Sequence, residues 1–316
     1  MVTATAPTTW IGWDNPRADA LHDPSLHLPR LLCFHGGGTN SNIFRTQCRA
    51  ISKALATSFR FCFVEAPYRS HPGPDVARVF KDMGPFKAWL RWKNDEPDPD
   101  TDADHQHHSQ HPQHLPPCPE ADADADAVRR IHDSIQAAMD QDNERGGTGE
   151  WVGLLGFSQG AKICASILFT QQHCAEVLGT RNQTHGHGPS PDLPRFRFAV
   201  LLAGRAPLVW LDATSDVTMA TGVVGAATLS TALNNGISLP PIPLADRLRT
   251  PTLHVHGLRD PGLSLHQEFL YRCCDPATTQ LLEWDGAHQV PIKSVHVRAL
   301  VQEILVLAGR ADGHES

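Results

Sequence analysis

The sequence predicts an α/β fold in which a mainly parallel central sheet is covered by helices on both faces. Short, almost continuous apolar runs alternate along the chain with segments whose apolar residues recur every three or four positions. Continuous apolar runs are typical of parallel strands buried on both faces, and the intervening helices supply the crossovers that such strands require. The chain has 316 residues, 41% of them hydrophobic and 19% charged, so it can bury a substantial core. We therefore expect a single domain over residues 1–316.

The expected elements follow one another in a regular order. Six apolar runs predict strands at Leu31–Phe34, Phe59–Val64, Trp151–Leu155, Phe198–Leu202, Thr252–Val255 and Leu281–Trp284. Helical spacing predicts helices from Phe44 to Leu55, Val128 to Met139, Ala161 to Leu168 and Val297 to Ile304. The spacing of Phe86, Trp89 and Trp92 also fits one face of a helix. The polar stretch 182–194 is expected to be a loop insert.

The charge of the chain is concentrated in one segment. Residues 94–127 contain ten of the 34 acids and no Lys or Arg, so the rest of the chain carries 24 acids against 27 bases. No concentrated basic face is expected, which excludes a nucleic-acid-binding function. The segment also has almost no large apolar residues, so it cannot offset its ordering entropy by burial. We expect 94–127 to be a disordered, acidic and His-rich surface insert.

Cysteine usage and the N-terminus bear on the compartment. The eight cysteines show no C-x-x-C spacing, and several lie in apolar runs, which is typical of a reducing environment. The N-terminal residues lack the basic start and apolar run of a signal peptide, and no apolar run is long enough to span a membrane. We expect a cytoplasmic protein without a membrane segment. The histidines and Cys118 of the insert could bind a metal adventitiously, but we predict no functional metal and no cofactor.

The motif Gly156-Phe157-Ser158-Gln159-Gly160 is G-x-S-x-G, placed between a predicted strand and a predicted helix. In that setting the motif forms a sharp turn that exposes the serine hydroxyl at the N-terminus of a helix. Small residues are needed on both sides because the turn is strained and crowded. We therefore expect Ser158 to be a catalytic nucleophile.

A serine nucleophile needs a histidine that takes its proton and an acid that orients the histidine. In α/β-hydrolases the chain order is Ser, acid, His. Asp260 and His288 satisfy this order, and each follows a predicted strand, so both are expected at the same edge of the sheet. Asp212 and Asp216 remain as the main rivals for Asp260. Asp285 is a lesser rival, since it lies three residues from His288 and would share the same tight loop. Two other histidines, His254 and His256, share one strand face and are expected in the core.

The glycines after the first strand provide a candidate oxyanion hole. His35-Gly36-Gly37-Gly38 follows that strand, where this architecture supplies the second backbone donor. The expected donors are the backbone N–H groups of Gln159 and Gly37. A dinucleotide-binding loop is excluded, because G-x-G-x-x-G started at Gly36 would need glycine where Ser41 stands.

These blocks together resemble the fungal serine hydrolase (FSH) family of α/β-hydrolases. The resemblance rests on blocks spread over nearly the whole chain: His35–Asn40, Phe44 with Gln47, Val64–Pro67, Gly156–Ala161, His256-Gly257 with Asp260, and Gly286–His288 with Pro291. The segments Pro72–Pro74, Asp82–Phe86 and Trp89–Trp92 are similar to the branch found beside fungal polyketide synthases, of the lovastatin-pathway type.

The resemblance implies a thioesterase that releases a polyketide from the acyl carrier domain of a synthase through an acyl-enzyme on Ser158. The insert after Trp92 and the loop 182–194 are longer than the family pattern. The acidic insert could shield the site or repel an acidic carrier domain. Two alternatives stay open: a general carboxylesterase for small esters, and a non-catalytic α/β-hydrolase that only binds a ligand.

Overall fold

The computed structural model describes residues 23–91, 120–181, 193–212, 217–229 and 240–313. Six strands form the central sheet: β1 (Arg30–Phe34), β2 (Arg60–Val64), β5 (Trp151–Phe157), β6 (Phe198–Leu202), β9 (Thr252–Gly257) and β10 (Thr279–Trp284). Their order is β10-β9-β6-β5-β1-β2, and every neighbouring pair is parallel. The prediction of a parallel central sheet is confirmed.

Seven α-helices are described besides the strands, together with a short 3-10 helix at Leu244–Asp246. The α-helices are α1 (Ser41–Gln47), α2 (Arg49–Ala54), α3 (Pro74–Phe80), α4 (Glu120–Glu144), α5 (Gln159–Arg181), α6 (Leu263–Cys273) and α7 (Ser294–Gly313). The single helix expected from Phe44 to Leu55 is two helices, because the chain bends at Cys48 between α1 and α2. Two small sheets complete the described part: β3 (Tyr68–Arg69) with β4 (Lys87–Ala88), and β7 (Val209–Trp210) with β8 (Val224–Gly225).

Helices cover both faces of the central sheet, as predicted. Alternate residues of β1 point to opposite faces, so Leu32 and Phe34 lie in one core and Leu31 and Cys33 in the other. The first core contains apolar residues of α4 and α5, and the second contains those of α1, α2 and α7. Strands buried on both sides explain why the sequence shows continuous apolar runs rather than alternation.

The strand order reverses beside β1. From β1 the chain first adds β2 on one side, then β5, β6, β9 and β10 successively on the other. The crevice outside the carboxyl ends of the strands at such a switch point is where open α/β sheets bind their ligands. Here the loop after β1 meets the turn after β5.

The predicted insert needs a correction at its end. Residues 94–119 lie outside the described part of the chain, but Glu120–Glu144 form one helix, so 120–127 are helical and not disordered. Alanines alternate with acids there and favour a helix. The carboxylate of Asp124 also accepts hydrogen bonds from the backbone N–H groups of Ala227 and Thr228, at 2.6 and 3.1 Å. A tertiary contact therefore compensates for the missing apolar residues.

The second predicted insert, 182–194, lies almost wholly outside the described residues. The single-domain organisation with two inserts therefore stays a prediction. Within the described part of the chain, no helix has both the length and the apolar character needed to cross a membrane.

Candidate active site

Ser158 occupies the sharp turn between β5 and α5. Its φ of 53° lies in the left-handed region, which is rare for a residue with a side chain and indicates local strain. The backbone N–H of Ser158 donates to the carbonyl of Leu202 on neighbouring β6, at 2.8 Å. The flanking buried strand and helix fix the turn, so the serine projects at the carboxyl edge of the sheet.

The two motif glycines are required by close backbone approach. A Cβ on Gly156 would lie 2.5 Å from the carbonyl oxygen of Gly160, within the turn itself. A Cβ on Gly160 would lie 2.1 Å from the carbonyl oxygen of Phe34, at the end of β1. Only residues without a side chain allow α5 to start this close to the loop after β1.

His288 lies on the loop after β10 and faces Ser158. Its Nε2 is 3.1 Å from Ser158 Oγ. Its ring packs against the ring of Phe157, with centroids 4.9 Å apart. The side chain of His288 is 25% exposed, so solvent and substrate can reach it while Phe157 limits its rotation.

Asp260 follows β9 and is buried behind His288. Its Oδ2 lies 2.7 Å from His288 Nδ1, and its Oδ1 accepts the backbone N–H of Gly262 at 2.7 Å. Burial raises the pKa of Asp260, but the hydrogen bonds from Gly262 and from imidazole groups outweigh it and hold this pKa below its ordinary value. The carboxylate therefore stays ionised at neutral pH.

The rival acids lie elsewhere or outside the described residues. Asp285 is largely exposed and pairs with Arg259 at 2.7 Å. The carboxylate of Asp212 lies 3.8 Å from the thiol of Cys174, a residue in the C-terminal half of α5. Asp216 is not among the described residues. Of the candidate acids that the structure describes, Asp260 is the one brought to hydrogen-bonding distance of His288.

A further histidine at the site, His266, was missed by sequence reasoning. It is fully buried on α6, and its Nε2 lies 2.9 Å from Asp260 Oδ2. The buried residues of α6 are His266, Phe269, Leu270 and Cys273, at helical spacing. That spacing could have revealed the helix and the inward direction of the histidine, but not its contact with Asp260.

The candidate oxyanion donors lie where the loop after β1 meets the start of α5. The side chain of Gln159 lies against Gly37: a Cβ on Gly37 would be 3.1 Å from Gln159 Oε1. That same Oε1 accepts the backbone N–H of Trp89 at 2.7 Å, and the indole N–H of Trp89 donates to the carbonyl of His35 at 2.8 Å. Trp89 is therefore hydrogen-bonded both to Gln159 and to the loop after β1, the two segments that carry the candidate donors.

The backbone donors differ in their availability. The N–H of Gly38 donates to the carbonyl of Lys87 at 2.9 Å, so it is already occupied. The N–H of Gln159 opens helix α5, where the first N–H groups have no acceptor within the helix. These contacts leave Gly37 and Gln159 as the expected pair.

The carboxylate and the two imidazoles could also serve as ligands for a metal ion. Ligand atoms of Asp260, His266 and His288 all lie within 4.8 Å of one another. Tetrahedral zinc would need about 3.4 Å between adjacent ligand atoms. The two oxygen–nitrogen separations, 2.7 and 2.9 Å, are instead those of hydrogen bonds with a proton between the atoms. We therefore assign the cluster to hydrogen bonding. The histidines of the insert, suggested above as an adventitious metal site, lie outside the described residues.

The fold and the site together define the class: a serine hydrolase with the α/β-hydrolase fold. The chain belongs to the FSH1 serine hydrolase family, since residues 25–300 match the family model described as "Serine hydrolase (FSH1)". The resemblance found in the sequence is thereby confirmed.

Similar proteins are fungal esterases. Esterase dbaE of Emericella nidulans is 47% identical over 292 residues, which cover 90% of this chain and 92% of that protein. Esterase pigG of Monascus ruber is 46% identical, over 90% and 93% of the two chains. Esterase tropF of Talaromyces stipitatus is 45% identical, over 90% and 83%.

Proposed function

We propose that the chain hydrolyses an acyl ester or thioester, with Ser158 as the nucleophile, His288 as the general base and Asp260 as its orienting carboxylate. One observation carries this proposal. Two hydrogen bonds, 3.1 and 2.7 Å long, run in sequence from Ser158 Oγ through the imidazole of His288 to the carboxylate of Asp260. This is the arrangement that activates a serine hydroxyl at neutral pH.

In the first half of the reaction, His288 Nε2 takes the proton of Ser158 as Oγ attacks the acyl carbon. Asp260 accepts the Nδ1–H of His288 and stabilises the imidazolium that forms. The negative oxygen of the tetrahedral intermediate is bound by the N–H groups of Gly37 and Gln159. Each such donor is worth on the order of 3 kcal/mol in the transition state. Protonated His288 then gives its proton to the leaving alcohol or thiol, and the acyl group remains on Ser158.

In the second half, a water molecule takes the place of the leaving group. His288 removes a proton from this water as its oxygen attacks the acyl-enzyme, and the same N–H pair binds the second oxyanion. Collapse of the intermediate returns the proton to Ser158 Oγ and releases the carboxylic acid.

For the substrate, we propose a polyketide chain carried as a thioester on the acyl carrier domain of a synthase. The proposal is supported by the resemblance of the segments 72–74, 82–86 and 89–92 to the synthase-associated branch of the family. We place the reaction in the reducing cytoplasm, in keeping with the seven described cysteines, all of them free and buried.

A second candidate is hydrolysis of small carboxylic esters. It is favoured by the names of the three relatives given above, each of which is called an esterase. The same nucleophile and base would perform both reactions, so the two candidates differ in the leaving group and in the partner that delivers the substrate.

The test compares the release of acid from a polyketide mimic on a carrier domain with the cleavage of an aryl ester. Wild type and Ser158→Ala are measured beside Ser52→Ala, which alters a serine of α2 whose hydroxyl donates to the carbonyl of Arg49 in the same helix, at 3.3 Å. Release from the carrier by wild type and Ser52→Ala, but not by Ser158→Ala, is the expected result. Cleavage of the aryl ester alone would favour the small-ester candidate. Absence of both activities in folded wild type would favour a ligand-binding protein and contradict the proposal.

A further inference from the structure

The carboxylate of Asp260 receives two imidazoles rather than one. His288 Nδ1 lies 2.7 Å and His266 Nε2 lies 2.9 Å from the same oxygen, Oδ2, while the backbone N–H of Gly262 occupies Oδ1. An ionised carboxylate can accept about four hydrogen bonds, so both imidazoles can donate at once. A triad as such requires only the donor from His288. The contact of His266 with Asp260 is therefore not explained by the triad itself.

We propose that His266 is a positioning residue, which donates its Nε2–H to Asp260 and shares the charge of that carboxylate with His288. The inference rests on the proposed function, since it concerns the basicity of the group that activates Ser158. Its consequence is that His288 is a weaker base than it would be with sole use of Asp260. The acidic limb of the pH–rate profile is thereby kept lower.

The site of the proton on His266 follows from its two acceptors. Nδ1 lies 2.9 Å from the carbonyl oxygen of Gly204, and Nε2 lies 2.9 Å from Asp260 Oδ2. Both neighbours are acceptors, so the contact with Gly204 is a hydrogen bond only when Nδ1 also carries a proton. An ionised carboxylate is the stronger acceptor, so the first proton of the ring belongs on Nε2. Burial lowers the pKa of His266, which opposes a second proton on Nδ1.

The groups around His266 reinforce this state. Five titratable or charged residues face His266. They are His254 and His256 on β9, Asp260 in the loop after β9, His288 in the loop after β10, and Arg205 in the loop after β6. Burial lowers the pKa of His256 to about 4, so this neighbour is neutral at pH 7. Arg205 disfavours a positive charge on His266. Asp260 is thus the anion among these groups, and it accepts the Nε2–H of His266.

Removal of this donor should change the basicity of His288 in a defined direction. The charge of Asp260 would then fall wholly on His288, and the imidazolium of His288 would be better stabilised. We expect the acidic limb of kcat/KM to move upward by roughly 0.5–1 pH unit. The plateau value of kcat should fall by about tenfold, because Asp260 loses one of the contacts that fix its orientation.

Two near-isosteric substitutions separate this role from simple packing. In His266→Gln the amide nitrogen takes the place of Nε2, so a donor to Asp260 remains. In His266→Asn the amide takes the place of Nδ1, so only the contact with the Gly204 carbonyl remains. Ser264→Asn, on the exposed side of α6, is the matched control. Profiles of kcat/KM against pH are measured with an aryl ester, and folding is checked by thermal unfolding.

The inference predicts that His266→Asn shifts the acidic limb upward, while His266→Gln and Ser264→Asn leave it in place. An acidic limb that is the same in folded Asn and Gln variants would overturn it, because the role would then be packing alone. A measurement on unaltered protein does not depend on the variants folding: the imidazole ¹⁵N and ¹H resonances should show a proton on Nε2 of His266. A proton on Nδ1 alone would also overturn the inference. If wild type hydrolyses nothing, the proposed function fails, whereas the resonances still test the position of this proton.

Discussion

Gly160→Ala perturbs the point at which the nucleophile turn meets the oxyanion loop. Gly160 is the second residue of α5, and its Cα faces the end of β1. An added Cβ would lie 2.1 Å from the carbonyl oxygen of Phe34 and 2.5 Å from that of His35. Ordinary contact begins at 3.4 Å, so the start of α5 must move away from β1 by about 1.3 Å. Both neighbours are backbone atoms, and rotation of a side chain cannot relieve the overlap.

The displacement has a cost in stability and a cost in catalysis. Overpacking of this kind destabilises by about 1–3 kcal/mol, which lowers Tm by roughly 2–5 °C in a protein of this size. Movement of α5 also separates the N–H of Gln159 from that of Gly37. A misplacement of about 1 Å at reacting groups costs on the order of 100-fold in rate. We therefore expect a folded protein with kcat reduced about 100-fold.

Gly309→Ala is the matched control for this substitution. Gly309 lies in α7, and a Cβ there would have no neighbour within 4 Å. Alanine in a helix is favoured over glycine by about 0.5–1 kcal/mol, so Tm should rise slightly and kcat should not change. Both variants are measured by thermal unfolding and by aryl ester hydrolysis. A Gly160→Ala protein with the Tm and kcat of wild type would refute the reasoning about the crowded turn.

Three further predictions concern stability and burial. Burial lowers the pKa of Lys162 to about 7, while unfolding restores its ordinary value, so between pH 7 and 9 the unfolded chain binds more protons than the folded one. As pH rises over this range, the free energy of unfolding of wild type should therefore increase relative to that of Lys162→Met, by roughly 1.4 kcal/mol per pH unit. Urea denaturation at both pH values measures this difference, and an equal difference at the two would contradict the assignment. Asp124→Ala should destabilise the protein by about 1–3 kcal/mol, because it leaves backbone N–H groups of the turn 225–228 without their acceptor. The control Asp133→Ala, on the exposed side of α4, should change stability by less than about 0.5 kcal/mol. Equal losses of stability in the two variants would argue against the contact. In a Cys118→Ser background, a thiol reagent should label none of the remaining seven cysteines before unfolding, since all are buried, and rapid labelling of any of them would show that the core opens.

The central sheet could be predicted because its strands are buried on both faces. The run Phe198–Leu202 matches β6 at both ends, and the other five runs match their strands to within two residues at each end. Among the strand starts, the largest difference between prediction and structure is at β10, which was predicted to start at Leu281 and starts at Thr279. This strand is at the edge of the sheet and partly exposed, so its first residues lack the apolar signal.

The elements that sequence reasoning missed depend on contacts between distant residues. The spacing of Phe86 and Trp89 suggested a helix, but Lys87–Ala88 form β4, which pairs with Tyr68–Arg69. The start of α4 at Glu120 was hidden by its acidic composition, since the contact of Asp124 with the turn 225–228 cannot be read from local sequence. Tertiary contacts override local patterns in both places.

The candidate site was predicted in part. Ser158, Asp260 and His288 could be placed together because each follows a strand of one parallel sheet, and the structure brings them within hydrogen-bonding distance. The contact of His266 with Asp260 could not be predicted, since it depends on how α6 packs against β9. The two N–H groups of the oxyanion hole stay a prediction.

The central claim is that acyl transfer passes through Ser158, and trapping of the acyl-enzyme tests it most directly. Wild type is mixed with a slowly hydrolysed aryl ester, quenched in acid within one turnover, digested and analysed by mass spectrometry, with Ser158→Ala and Ser52→Ala treated alike. The account predicts that the mass of one acyl group appears on the peptide containing Ser158 in wild type and Ser52→Ala, and is absent from Ser158→Ala. An acyl group on another residue, or turnover of the ester by Ser158→Ala at the wild-type rate, would contradict the claim.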